Sequence, residues 1–421
     1  MVKIKFPYKD IDSIEIPDEN LAGVYEPEEI PISRSEDVLI RDSFCNPIGT
    51  PQIKDMVREG EKILILSDDN TRPTPVKKIL PHLLKELHIG GIRDKDIKII
   101  IALGTHRPMS KEELVAKLGQ EMVDRFPVVN HRWEDKSQLN FIGKTSLGVE
   151  IWINKAIEEA DFIIGIGSIM PLMASGFSGG GKIIVPGICG EKTNDQMHWA
   201  GVNLGEEELL GKRDNPVREV IDQVSRQAGL NVIINAVVDS RGRIVDVVVG
   251  DLEEAHCRGC RIAKKVHGVQ IPERTDIVVA DSYPFDIEFW QANKALDTAG
   301  LVVKEGGVII LVSPCYEGIS KSHPEIPNYG YQRVVKIKEL VEKKEISPTV
   351  GVHMIQVSRV AVERAKCILV SEGISKEDKF KLGLLHARTP QEALKEAFRM
   401  KGKQAKVSVL RGAAEMLPLL S

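Results

Sequence analysis

Cysteine is scarce in this chain: six in 421 residues, too few for a disulfide-built scaffold and in keeping with a reducing cytoplasm. Runs of Lys and Arg are missing too, and the formal charge of −4 is spread along the chain in both signs. A nucleic-acid footprint needs a basic patch, so no nucleic-acid partner is expected. No apolar stretch approaches the roughly 20 residues that span a bilayer. The N-terminal segment MVKIKFPYKDIDSIEIPDEN lacks the apolar centre of a secretion signal. A cytoplasmic protein without membrane contact is therefore the expectation. Internal repeats and low-complexity segments are also absent.

What remains is an ordinary soluble mixture, 42% hydrophobic and 28% charged, in a chain too long for one average domain. Short β-rich runs alternate with helical patterns. This argues for an α/β class of two Rossmann-like domains, with mainly parallel sheets flanked by helices. In the first half, strands are expected at about residues 62–68 (KILILSD), 97–103 (IKIIIAL), 127–131 (PVVNH) and 162–168 (FIIGIGS). VKKILPHLLKELHIGGI is the clearest helix. NVIINAVV and IVDVVVG, joined by DSRGR, read as a β-hairpin with Gly242 in the turn. Pro and charge in VQIPERTD mark a boundary, dividing the chain into domains 1–270 and 271–421. Beyond it IVVAD, GVIILVS, CILVSEG and KVSVLRG read as strands. FWQANKALDTAG, RVVKIKELVEKK, VSRVAVERA and TPQEALKEAFRM read as helices, the last opened by a capping box of Thr389 and Glu392.

Three strands of the first half run straight into polar, turn-rich segments: DDNTRPTP, GTHRPMS and SIMPLMASGFSGGGK. Ligands of open α/β sheets bind beyond the carboxyl ends of strands, so these segments are expected to converge. The sharpest is Gly176-Phe177-Ser178-Gly179-Gly180-Gly181-Lys182. Its glycines expose backbone N–H groups and let the chain approach an anion closely, and Lys182 adds a positive charge or a nucleophilic amine. The spacing fits a phosphate loop, but Ile183 stands where that motif needs Ser or Thr for magnesium. A tight glycine turn with a solvated lysine is the plain alternative. The pair Cys257 and Cys260 has no second CxxC to complete a zinc site.

The glycine segment stands in an ordered set. Gly165-Ile166-Gly167-Ser168-Ile169-Met170-Pro171 leads into it, Pro186-Gly187-Ile188-Cys189-Gly190 leaves it, and His198 follows. Upstream lie Asp69-Asn70-Thr71-Arg72-Pro73 and Gly104-Thr105-His106-Arg107-Pro108. This set resembles the lactate racemase family, most specifically between residues 65 and 200. The resemblance implies a racemase or epimerase of a 2-hydroxy acid, with its active site in a cleft between the domains. It works by hydride transfer to a nickel-pincer nucleotide, pyridinium-3-thioamide-5-thiocarboxylic acid mononucleotide, made by cofactor-biosynthesis proteins. The nucleotide is bonded to Lys182, with Asp69, Gly179, Gly180 and Gly181 beside it, and nickel is completed by His198. Imidazole suits nickel. The resemblance further makes His106 an acid–base catalyst, as a histidine near neutrality can be. It gives Arg72 the substrate carboxylate, which matches a planar fork. In Trp290-Gln291-Ala292-Asn293-Lys294 it implies that Gln291 and Lys294, one helix face apart, reach the substrate.

One departure changes the reading. The family pattern carries Pro-His before the glycine loop, and that histidine is the second catalytic base. Here Pro171 is followed by Leu172. A racemase uses one base for each enantiomer, so this substitution argues for a substrate other than lactate, with Leu172 against it. His353 is the first candidate for a replacement base, with His131 and Lys294 behind it. A nucleotide-binding carrier or sensor of the nickel cofactor, without racemase activity, is the alternative function. Retention of His106, Arg72 and Lys294 speaks for the enzyme.

Overall fold

The computed structural model describes residues 1–420. It divides into two compact units: residues 29–266, and Met1–Glu28 together with the chain from His267 onward. The expected division at 270/271 is thus corrected at the amino terminus. The first 28 residues belong with the C-terminal unit, because strand β1 (Leu21–Tyr25) pairs in parallel with a strand formed by Val407–Leu410. No local feature of the first residues announces a partner so distant in the chain.

The unit of residues 29–266 is a six-stranded sheet built from β2 (Ile63–Asp68), helix α1 (Val76–Ile89), β3 (Ile97–Ala102), α2 (Lys111–Leu118), β4 (Val128–Asn130), β5 (Phe162–Ser168), α3 (Glu191–Leu204), α4 (Pro216–Gln227), β6 (Leu230–Val238), β7 (Ile244–Gly250) and α5 (Glu254–His267). Spatial order is β7-β6-β5-β2-β3-β4. All neighbours are parallel except the β6/β7 hairpin, whose turn places Gly242 at φ +73°. Alternation along β2 explains the layers. Ile63 and Ile65 enter a core with Ile79, Leu83 and Leu87 of α1, while Leu64 and Leu66 enter one with Ile183, Ile221 and Val224 on the other face. A strand buried on both faces reads as a continuous apolar run, which is why KILILSD was legible.

The six-stranded sheet of the second unit is fully parallel. Its strands β8 (Thr275–Asp281), β9 (Val303–Val312), β10 (Lys366–Val370), β11 (Leu385–Ala387) and β12 (Val407–Leu410) join β1 in the order β11-β10-β9-β8-β12-β1. Helices α6 (Phe289–Val302), α7 (Pro348–Ser358) and α8 (Pro390–Lys401) lie among them in sequence. Two details differ from expectation. The stretch VSRVAVERA is the end of α7 followed by a π-helical turn over Arg359–Arg364. At α8, Thr389 Oγ1 accepts from Glu392 N at 3.1 Å, but the Glu392 carboxylate takes the N–H of Arg388 rather than that of Thr389. Among the described residues no helix is long and apolar enough to cross a membrane.

Candidate active site

Strands β3, β2 and β5 are neighbours, and the loops that follow them line one cavity of about 200 Å³ in the unit of residues 29–266. Here the direction of chain travel reverses across β2, the place where open α/β sheets hold ligands. Asp69, Arg72, His106, Leu172, Gly179, Gly180, Lys182 and His198 all reach its wall. A larger hollow of about 790 Å³ opens elsewhere on this unit, among Arg34, Asp42, Asp246 and Arg258. It is a broad, open surface of mixed charge, and none of the residues of the three converging loops line it.

After β2 the chain turns sharply around Asp69. Its carboxylate accepts from Thr71 N at 3.1 Å through Oδ1, and its Oδ2 lies 2.6 Å from His106 Nδ1. Asp69 is buried, whereas the His106 side chain is 49% exposed, so the imidazole is held at one nitrogen and open at its other edge. Burial works to raise the Asp69 carboxyl. The hydrogen bond and charge of His106, with help from Thr71 and Arg72, overcome it and hold the group at about 2. A carboxylate so fixed keeps the proton on His106 Nδ1 and leaves Nε2 as the basic nitrogen. Arg72 is half-buried at the cavity wall, its Nη1 donating to Thr71 O and Oγ1 at 3.1 Å each.

The glycine segment does not form a strand-to-helix phosphate loop. Pro171–Leu172 pairs antiparallel with Gly176–Phe177, and Gly180–Ile183 then makes a single 3-10 turn. Gly179 and Gly180 sit at φ +71° and +58°. A Cβ on Gly179 would meet Ile169 at 2.7 Å, and one on Gly180 the His256 ring at 2.9 Å. The glycines are required by the protein behind the loop as well as by any ligand in front. The Gly180 N–H is already engaged, donating to Asn235 Oδ1 at 2.7 Å.

A buried guanidinium, invisible to sequence reasoning, braces this loop. Arg218 on α4 is fully buried and donates to the carbonyls of Gly179 (3.1 Å) and Phe177, while His256 Nε2 takes the Ser178 carbonyl at 2.9 Å. Cys260 packs its sulfur 3.6 Å from the same imidazole. Three consecutive carbonyls are thereby turned away from the cavity. Removing the guanidinium strands two buried carbonyls, at about 1–3 kcal/mol each, and takes a cation from the Asp222 carboxylate 4.0 Å away, so Arg218→Met is expected to destabilise the protein by about 3–5 kcal/mol. Urea denaturation checks this. A loss within ~0.5 kcal/mol, the size of an ordinary surface change, would remove Arg218 from this role.

Lys182 and His198 are both half-buried in the cavity wall. Enclosure pushes the Lys182 ammonium down to about 7, and the charges of Arg218 and Arg72 act the same way. Near neutrality its amine is therefore substantially uncharged and nucleophilic. His198 on α3 has its Nδ1 3.0 Å from Asn194 O, one turn back, so Nδ1–H donates and Nε2 keeps its lone pair. Burial, and then the neighbouring Lys182 charge, lower its pKa to about 4, which keeps the ring neutral as a metal ligand must be. A nucleophilic amine and an imidazole with a bare nitrogen on one wall fit a lysine-linked nickel nucleotide. Among the described residues there is no preformed cluster of three or more His, Cys, Asp or Glu side chains able to hold a metal alone.

Other expected residues lie elsewhere. Gln291 and Lys294 do share a face of α6: Lys294 Nζ donates to Gln291 Oε1 at 2.9 Å and stands 3.6 Å over the Phe285 ring. His353 does not suit the base expected of it. It is buried on α7, stacked on Trp290 at 4.2 Å, with Nδ1 3.3 Å from Asn293 Nδ2 and Nε2 3.0 Å from the Tyr331 hydroxyl. Burial, then the charge of His323, push its pKa down to about 3, so it is a neutral packing residue with both nitrogens engaged. His131 is likewise buried, between Asn154 Nδ2 (3.0 Å) and the Cys189 carbonyl (2.9 Å).

Comparisons with known proteins show the family of the chain. The sequence matches the family of the lactate racemase N-terminal domain over residues 8–209 and that of the lactate racemase C-terminal domain over 271–416. The lactate racemase of Lactiplantibacillus plantarum is 32% identical over 421 residues, covering 97% of this chain and 98% of its own. That of Thermoanaerobacterium thermosaccharolyticum is 31% identical over 324 residues, 76% of each chain. The lactate racemase apoprotein structure from the latter organism superposes with a TM-score of 0.90 at 27% identity, over 99% of this chain and 100% of that one. A Thermotoga maritima protein shares the fold, at a TM-score of 0.71 and 22% identity over 91% of this chain and 98% of its own. With relatedness running the whole length of both chains, and the loops after β2, β3 and β5 meeting at one cavity, this protein is a member of the lactate racemase family.

Proposed function

We propose that this protein interconverts the stereoisomers of a 2-hydroxy acid other than lactate, using a nickel-pincer nucleotide bonded to Lys182 and ligated by His198. The observation that carries this reading is the meeting of the Asp69–His106 pair, Arg72, Lys182 and His198 around one cavity. The bound nucleotide would supply a reversible acceptor for the hydrogen on the substrate's Cα. The rest falls to the chain. Arg72 presents a planar cation for the carboxylate. His106 Nε2 takes the hydroxyl proton and returns it, while buried Asp69 fixes the ring and stabilises its protonated form. Gln291 and Lys294, on one face of α6, are assigned to substrate binding by the resemblance alone.

Leu172 supports the choice of a different hydroxy acid. It is half-buried on the cavity wall, with Ala102, Leu103, Ala174 and Ile183 also lining it. His106 is the one exposed imidazole among the lining residues. Apolar residues in the wall of a cavity that also holds a carboxylate clamp favour a side chain bulkier or more apolar than a methyl group.

The test is a panel of 2-hydroxy acids offered to protein produced in cofactor-making cells, with the enantiomers resolved by chiral chromatography. One or more members should interconvert. Loaded protein that leaves every member untouched would defeat the reading. On the substrate so found, Arg72→Ala is expected to raise KM by about 10- to 100-fold, the worth of one charge-assisted hydrogen-bonded contact. A large fall in kcat at constant KM would instead place Arg72 in transition-state stabilisation.

A further inference from the structure

Helix α2 carries Glu113 and Lys117 on one face, four residues apart. That spacing ordinarily gives a surface ion pair along a helix. Here each charge goes to a different place. The Glu113 carboxylate takes both arms of Arg107, at 2.7 and 2.6 Å, and Asn70 Nδ2 at 2.9 Å. It thereby joins the loop after β3 to the loop after β2. Lys117 is nearly buried, 7% exposed at its side chain. Its Nζ meets three acceptors: Asp69 O at 2.8 Å, Arg72 O at 2.9 Å and Asp68 Oδ1 at 2.9 Å. Two of its hydrogen bonds go to the carbonyls, and the Asp68 carboxylate faces it as an ion pair. Asp68 is buried as well and also accepts from Thr74 Oγ1.

Neither Glu113 nor Lys117 lines the cavity, yet both hold residues that do. Lys117 fixes the two carbonyls that bracket residues 69–72, and so sets where the Asp69 carboxylate and the Arg72 side chain leave the backbone. A buried ammonium is expensive to desolvate, and a well-packed apolar side chain would support a helix more cheaply. An apolar residue could not, however, hold two loop carbonyls in place.

We propose that Lys117, with Glu113 beside it, is the positioning residue of the site, locking the loop after β2 so that Asp69 meets His106 Nδ1. The functional part rests on the reading of His106 as the acid–base group. The structural part does not, because it is visible in the imidazole itself. In the cofactor-free protein labelled with ¹⁵N-histidine, His106 is assigned by comparison with His106→Gln. The wild type should show the Nδ1–H tautomer. Lys117→Met should move His106 toward the Nε2–H form that a free imidazole favours, Lys117→Arg should restore part of the Nδ1–H population, and half-buried Glu113→Gln should give a smaller shift. Because Lys117→Met leaves Asp68 buried without its counter-ion, Asp68→Asn/Lys117→Met is made alongside it. The double variant removes both charges and should show the same tautomer change with the fold intact by circular dichroism. In loaded protein, kcat should fall by about 10- to 100-fold, the cost of a misplaced catalytic group.

An unchanged His106 tautomer in folded Lys117→Met or in the double variant overturns the proposal, as does a fall in melting temperature with tautomer and kcat both intact. If His106→Gln leaves turnover unaffected, the acid–base reading fails instead, whatever the tautomer shows.

Discussion

Lys182→Ala should abolish covalent loading completely. Protein made in a cofactor-producing host should carry the nucleotide mass in the wild type, and the variant should emerge at the mass of its bare chain. The reason lies in the amine's surroundings. Enclosure first, and the Arg218 and Arg72 charges second, bring its pKa to about 7, so the nucleophilic form is available at neutral pH. Among the described residues no other lysine lines the cavity. His198→Ala separates attachment from metal binding: the mass should remain while nickel content falls, since Nε2 of His198 carries the free lone pair. An unchanged adduct in Lys182→Ala would show that the attachment point lies elsewhere, and full nickel in His198→Ala would require another ligand.

The same pKa makes a stability prediction for the cofactor-free protein. An unfolded lysine titrates near 10.4, so between about 7 and that value the unfolded chain binds more protons at this site than the folded one. Stability must rise with pH across that window from Lys182 alone, and the residue is a burden on the fold at pH 7. Lys182→Met should therefore be more stable than the wild type at pH 7, with the difference shrinking toward pH 10. Urea midpoints at the two pH values measure it. The expected gain is the usual cost of keeping a reactive group in an enclosed site.

The elements that position this site were legible because each strand is buried on both faces, so β2, β3 and β5 stand out as apolar runs ending in polar turns. FIIGIGS coincides with β5 residue for residue. Their convergence followed from the rule for parallel sheets. Long-range pairing was not legible: nothing in Leu21–Tyr25 predicts that it closes the sheet beside Val407–Leu410. Nor were the buried charges. Arg218 and Lys117 lie on amphipathic helices, where Arg and Lys normally mark the solvated face, and only the fold brings Gly179 O or Asp69 O to them. His353 failed for the opposite reason. An imidazole in an apolar helix reads equally well as a catalyst or as a packed ring, and its neighbours Trp290, Asn293 and Tyr331 decide for the second.

The other large effect concerns lactate itself. His106→Ala should reduce turnover of the protein's own substrate by about 10²–10⁴-fold, the worth of a positioned general base. Wild-type turnover of lactate should already lie below that of a two-base racemase by a similar factor, if Leu172 stands, as the resemblance implies, where the family pattern has its second histidine. In the proposed mechanism both enantiomers would pass through one planar keto acid, so each turnover would need proton transfer on both faces, and one missing base would slow both directions alike. Neither His353 nor His131 makes up the loss, since both are buried with their ring nitrogens engaged. Leu172→His should then raise lactate interconversion. The position favours the test: Leu172 is half-buried on a short antiparallel pair at the cavity wall, and histidine is close to leucine in volume, so the swap need not disturb the core. Rates of D–L interconversion are to be compared for wild type, His106→Ala and Leu172→His at equal nickel occupancy. Fast lactate racemisation by the wild type would refute the prediction and require a second base other than His353 and His131. A Leu172→His variant that carries the nucleotide and gains no lactate activity would mean that the cavity wall, rather than the missing base, excludes lactate.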